Sequence, residues 1–592
     1  MLSNQRIAKF RLSPTSGLLV LVLGLSGCSG NDGTAGDTGP TGEPGGDGMP
    51  GADGLPGADG TPGADGMPGA DGNPGAGGAD GEPGAAYDLQ LSVPMSGQLE
   101  APAAIATENQ GLAKIAIDTQ TGAVAGKVRL SFVATHVHVH GHAFAGDTAA
   151  VLFGLAQDAT DPLLWTIPAD TVLSAEDLAF ALQGALYVNA HSAAHSSGEV
   201  RGQLLPPELE LFRVQLDSDH EVPPPVAGVD DIAAAHALGY VTLNLNSGTV
   251  HTNVRTAGFV ASKAHLHGAP DALSTPGIAG RTTAVLLEMS LKADSTPEDD
   301  FWASSDDAKP LSPAQINRLL AGELYLNTHT DSNKTGLVRG QVLSPDVKVY
   351  RVSLDGDQEF PKPTINTSTG LGYLTVDVKS GRLRGDVSAL GFTPSKGHLH
   401  QGKLGLSGPV LIEFTANASD AKRFSAPEVG LNGSLNAFLD SAGLAALARG
   451  ELYLNLHTAA NPTGEARGQV LPEGWQLLRV PMDSAQEIPA PVAAAASTGL
   501  TLLAVDPTTG HAQGFGRVNG FTATAFHIHA GVAGQTGGVV IELGASPTET
   551  GKFDLPDGVF LDPTALATGG FYVNSHSATN TKGEVRGQLI LK

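Results

Sequence analysis

The feature that most constrains this chain is an internal repeat of domain length. A His-X-His motif occurs four times, at His138/His140, His265/His267, His398/His400 and His527/His529, spaced 127, 133 and 129 residues apart. Around each lie three further motifs in fixed order. An acidic turn precedes it: Leu99-Glu100-Ala101-Pro102, His220-Glu221-Val222-Pro223, Gln358-Glu359-Phe360-Pro361 and Gln486-Glu487-Ile488-Pro489. A Tyr-X-Asn-X-His segment follows, ending in His191, His329, His457 and His576. An Arg-Gly-Gln segment closes each copy, at Arg201, Arg339, Arg467 and Arg586. Solenoid repeats have periods of about 20–50 residues, so each copy is a whole domain.

Within a copy, short alternating segments such as Gly239-Tyr-Val-Thr-Leu-Asn-Leu and Gly372-Tyr-Leu-Thr-Val-Asp-Val lie between Gly, Pro, Asn and Asp turns. This is the pattern of half-buried strands. One short helix is expected before each Tyr-X-Asn-X-His segment, opened by Ser174-Ala-Glu-Asp177, by Ser312-Pro-Ala-Gln315 and by Asp562-Pro563. The expected fold is all-β: four tandem Greek-key β-sandwich or barrel domains over 87–206, 207–346, 347–474 and 475–592.

The motifs together resemble the chordin-type domain, called CHRD. The resemblance rests on the Glu-X-Pro opening, the central His-X-His, the Tyr-Val-Asn-X-His strand and the Gly-Glu-X-Arg-Gly-Gln close. That close stands intact at 198–203, 464–469 and 583–588, and departs in the second copy at Gly336-Leu337-Val338-Arg339. The resemblance implies an extracellular β-domain. The growth-factor antagonism of animal chordin does not carry over to a bacterial-type chain.

The N-terminal region has a different logic. Residues 1–11 are basic, and 17–25 form an apolar run of nine residues. A bilayer span needs about 20, so residues 1–27 read as a secretory signal peptide. The run ends in Leu25-Ser26-Gly27-Cys28, which resembles a bacterial lipobox, and Cys28 is the sole cysteine in 592 residues. By that resemblance Cys28 is the lipid acceptor of an exported lipoprotein held in the cell envelope. Ser29 at the next position favours the outer membrane or cell surface.

From Gly30 to Gly84 every third residue is glycine, 19 in register, with a recurring Gly-X-Pro-Gly-Ala-Asp. Only glycine fits the axis of a collagen triple helix. Residues 28–86 also carry ten acidic residues and no Lys or Arg, so three such chains repel one another. The segment is therefore either a trimeric collagen-like stalk or a disordered single-chain tether. Extended at ~3.1 Å per residue, it reaches roughly 170 Å.

The net charge of −26 disfavours nucleic acid as a partner. No phosphate loop, Gly-X-Ser-X-Gly elbow, paired-cysteine site or EF-hand loop is present, and no catalytic residues are assigned. The informative constellation is histidine. On a strand, residues i and i+2 share a face, so each His-X-His presents two imidazoles together, and the Tyr-X-Asn-X-His strand supplies a third. The candidate metal ligands are thus His138, His140 and His191; His265, His267 and His329; His398, His400 and His457; and His527, His529 and His576. Three imidazoles with an open fourth position suit Zn or Cu. In the first copy His136, His142 and His195 enlarge the cluster.

The competing reading is a structural polar network. In it Glu100, Glu221, Glu359 and Glu487 pair with Arg201, Arg339, Arg467 and Arg586 to join the first and last strands. A likeness to copper/zinc superoxide dismutases fails on two points: no bridging histidine is seen, and one cysteine cannot make their disulfide. Three functions stay open: a surface binding module for an extracellular protein or polysaccharide, a Zn or Cu domain with a storage or redox role, and an architectural spacer.

Overall fold

The structure, a computed structural model, describes residues 87–592 apart from 227, 229, 271–276, 293–299, 306–309, 362, 365–366, 428–436, 493–495 and 592. The expected signal peptide, Cys28 and the Gly-X-Y segment lie outside the described residues. The described residues form one compact unit.

Each copy is a barrel-like antiparallel sheet. The second is the simplest, a closed barrel of eight strands. Its strands are Leu209–Asp217, His236–Asn244, Val250–Ala257, Lys263–His267, Val285–Leu291, Phe301–Ser304, Leu324–His329 and Val338–Val342. Closure joins the first strand to the last, with Asp217 opposite Arg339. The same closure pairs Ser96 with Arg201, Asp355 with Arg467 and Asp483 with Arg586. Closing the sheet leaves fewer edges to template aggregation.

Alternation decides what faces inward. In the strand Leu324–His329, Leu324 and Leu326 point into a core with Leu266, Val338 and Val342. Tyr325, Asn327 and His329 share the opposite face. Across the sheet, His265 lies opposite Asn327 and His267 opposite Tyr325. All six residues of this strand are nonetheless buried, because a loop folds back over its outer face.

The helices form where expected. Ser174 and Ser312 make complete capping boxes with Asp177 and Gln315. Asp440 and Asp562 cap the other two, at Ser441–Ala448 and Pro563–Ala567.

Consecutive domains dock in the same way three times. The loop after each His-X-His strand ends in a glycine tip with positive φ: Gly146, Gly280 and Gly405. Each tip presses on the next domain, against Tyr240, Tyr373 and Phe515 respectively. A Cβ on Gly146 would sit 2.5 Å from the Tyr240 ring, so no larger residue fits there. Polar contacts secure each junction. Asn253 donates to the Ala145 carbonyl (2.7 Å), and Tyr373 donates to the Asp219 carbonyl (2.9 Å). Arg281 pairs with Asp386 at 2.6 and 2.9 Å, and Arg517 donates to the Asp357 and Glu359 carbonyls. At the last junction Leu404 joins Leu502, Ala504 and Phe515 in a separate apolar cluster.

The receiving positions are cross-strand neighbours: Tyr240 with Asn253, Tyr373 with Asp386, and Leu502 with Phe515. In the first domain the same two positions carry Lys114 and Lys127.

Candidate metal centre

The register that pairs the His-X-His strand with the Tyr-X-Asn-X-His strand brings three rings together in every copy. The groups are His138/His140/His191, His265/His267/His329, His398/His400/His457 and His527/His529/His576, each with its ligand atoms within 4.8 Å of one another. The closest approach is between the first and third histidines, Nδ1 to Nε2: 3.3 Å for His138–His191, 2.9 Å for His265–His329, 2.9 Å for His398–His457 and 3.0 Å for His527–His576. Two nitrogens on one tetrahedral zinc, each at about 2.0–2.1 Å, stand roughly 3.3 Å apart.

Hydrogen bonding fixes which nitrogen is available. The second histidine of each copy sets Nδ1 against a loop carbonyl: His140 to Ala149, His267 to Thr283, His400 to Gly408 and His529 to Gly537, at 2.9–3.0 Å. A carbonyl only accepts, so Nδ1 carries the proton and Nε2 keeps its lone pair. Those four Nε2 atoms are buried and meet no hydrogen-bond partner among the described residues. The third histidines repeat the device, with Nδ1 facing the Ser196, Lys334, Pro462 and Thr581 carbonyls. Metal-bound histidines are held in this way, by a hydrogen bond from the other ring nitrogen. The first histidines are half-buried in three copies, as His138, His398 and His527, and buried in the second, as His265. Their Nδ1 faces the third ring, so a shift of tautomer there supplies the third lone pair.

Electrostatics favour neutral rings. Burial pushes His267, His329 and His457 down to about 4. Burial lowers His138, His140, His191, His265, His398, His400, His527, His529 and His576 as well.

The motif tyrosine belongs to the site as well as to the core. Tyr187, Tyr325, Tyr453 and Tyr572 stack on the second histidine, with centroids at 4.8–4.9 Å and planes within 10°. The motif arginine lies on the other face of that tyrosine, 3.5 Å from its centroid in all four copies. Tyr-X-Asn-X-His spacing shows that these groups share a face, but the sandwich of arginine, tyrosine and histidine appears only in three dimensions.

The expected Glu–Arg ion pair takes a different form. Arg201 donates to the Asp147 and Phe144 carbonyls, Arg339 to those of Arg281 and Ile278, and Arg467 to those of Leu406 and Lys403. The glutamates instead accept from the motif asparagines: Glu100 from Asn189, Glu221 from Asn327, Glu359 from Asn455 and Glu487 from Asn574. Arginine and glutamate act on each other through charge alone. Burial outweighs that attraction and pushes Glu100, Glu221 and Glu487 up to about 7 and Glu359 to about 8.

The additional histidines of the first copy do not enlarge its cluster. His142 stacks on Phe180 and pairs with Asp177 of the helix (2.7 Å). His136 stacks on His138 at 5.7 Å, outside the converging trio. His195 lies in the turn before the closing strand, its backbone N–H donating to Ser192.

No curated protein matches the chain. The collagen triple helix repeat family matches residues 24–88. The CHRD domain family matches residues 91–204, 212–342, 350–470 and 478–589, each span containing one complete histidine trio. With most of its length so matched, the chain belongs to the CHRD domain family, as four tandem copies.

Proposed function

We propose that this protein is a cell-envelope array of four histidine metal sites, one per CHRD domain. The observation that carries the reading is the buried, partnerless Nε2 of His140, His267, His400 and His529. An unpaired buried acceptor costs about 1–3 kcal/mol, and a cation at the centre of the trio removes that cost four times over. An all-imidazole donor set suits Zn or Cu, and the open fourth position admits water or a ligand. Storage or capture of the metal follows from the number of sites.

The test is zinc or copper content of the full chain after loading and desalting. About four equivalents are expected, falling by about one for His267→Ala with His329→Ala. A folded chain that retains no metal ends the reading.

Delivery to the envelope belongs to the same proposal. The signal peptide exports the chain, Cys28 takes the lipid, and the Gly-X-Y segment holds the domains away from the membrane. Cys28→Ala is expected to abolish labelling by a radioactive fatty acid and to release the protein from membranes. The regular docking of four like domains favours a second role, binding a repetitive surface partner such as a matrix polysaccharide through avidity. Polysaccharide binding that survives loss of the histidine ligands would separate the two roles.

A further inference from the structure

The loop that holds the second histidine of each site is also the loop on which the next domain docks. In the first three copies the tip glycine and the carbonyl that orients the histidine are three residues apart: Gly146 and Ala149, Gly280 and Thr283, Gly405 and Gly408. The downstream domain closes on the tip from outside, through Tyr240, Tyr373 and Phe515. The motif arginine clamps the same loop from inside.

The fourth copy keeps the loop, and among the described residues no domain packs on it. Gly534 is its tip, and a Cβ there would meet nothing within 4 Å among the described residues. Residues 532–540 are exposed throughout. The inner clamp is looser as well. Arg586 reaches the loop through the Val532 carbonyl at 3.3 Å, whereas Arg467 makes two such bonds at 2.8 Å. His529 still meets Gly537 at 3.0 Å, so the ligand is placed but its support is open on one side.

We infer that each downstream domain is a positioning element for the metal site before it, so that the four copies hold three buttressed, slowly exchanging sites and one unbuttressed, labile site in the fourth copy. Tyr240, Tyr373 and Phe515 are the positioning residues, acting through the loop on His140, His267 and His400. The inference rests on the metal reading above. An unbuttressed site that loads and releases readily gives the array an exchange point, while the buttressed three retain their ions.

The experiment is release of zinc from the loaded full chain into excess chelating dye, followed by absorbance. Two phases are expected, three equivalents slow and one fast. Their rates should differ by about 10- to 100-fold, the usual effect of removing the support of a metal ligand. His527→Ala with His576→Ala should remove the fast phase alone. Tyr373→Ala should move one equivalent, that of His265, His267 and His329, from slow to fast while total zinc stays at four. Arg281→Ala, which removes the pair with Asp386, should do the same and decides the matter if Tyr373→Ala fails to fold. A single phase, or a slow phase of three equivalents that survives both variants in folded protein, overturns the inference. Absence of bound zinc in folded wild-type protein overturns the metal reading itself.

Discussion

At the scale of residues, protonation links the histidine trio and the buried glutamates to stability with opposite signs. His267, His329 and His457 titrate near 4 in the folded chain and near 6.5 when unfolded. Between those values the unfolded chain binds more protons, so stability falls as pH drops through that window. The metal-free array should therefore lose melting temperature between pH 7 and pH 5, and zinc should restore it at pH 7 more than at pH 5. Glu359 runs the other way. Its folded value of about 8 lies above the ordinary carboxylate value. Its contribution is complete below about 4.5 and is lost as pH rises through 8. Glu359→Gln keeps the neutral shape and should raise the melting temperature at pH 9 by roughly 5 °C, with little change at pH 5. Thermal unfolding at the two pH values checks this. The period of two in His-X-His and Tyr-X-Asn-X-His made the four converging histidine trios legible in sequence. The choice of nitrogen was not legible, because it depends on loop carbonyls such as Ala149 and Gly537, which no local pattern announces. Charge couples Glu359 to Arg467, but its hydrogen bond comes from Asn455, while the Arg467 fork goes to two carbonyls that the sequence does not announce.

At the scale of elements, the unit of function is a strand pair plus the loop folded over it. Arg467 joins them: one planar fork spans the Leu406 and Lys403 carbonyls and Gln469 while lying on Tyr453. Lysine cannot reproduce that fork. Arg467→Lys should destabilise the third domain by about 2–4 kcal/mol, since it leaves buried carbonyls unpaired. Denaturant unfolding is the measurement, and Arg586→Lys should cost less because its loop is held through a longer bond. The helices were legible from Ser174, Ser312-Pro313 and Asp562-Pro563, because capping is a local signal. The folded-back loop was not, since its shape is imposed by an arginine some 60 residues away in sequence, as in Arg467 to Leu406.

At the scale of the whole molecule, domain count and order followed from the repeat, while the docking did not. Tyr240 and Tyr373 occupy one position and Phe515 its cross-strand neighbour, and all three read as ordinary strand residues. The Gly-X-Y segment adds a question of assembly that its sequence frames sharply. If it winds into a triple helix, the full chain sediments as a trimer, and deleting residues 30–84 returns a monomer. Because the segment is uniformly acidic, raising salt should strengthen that trimer through screening.

The docking geometry itself carries one more consequence. A head-to-tail contact that does not close on itself builds fibres when a free knob meets a free socket. The fourth domain still presents its Gly534 knob. The socket at the other end is where Lys114 and Lys127 stand in place of the tyrosine, asparagine, aspartate, leucine and phenylalanine used inside the array. Seating a knob there would bury two lysine side chains, and burying an ammonium group costs several kcal/mol. Two lysines at those positions disfavour a knob on that face. Lys114→Tyr with Lys127→Asn should turn a finite array into concentration-dependent filaments, visible by light scattering.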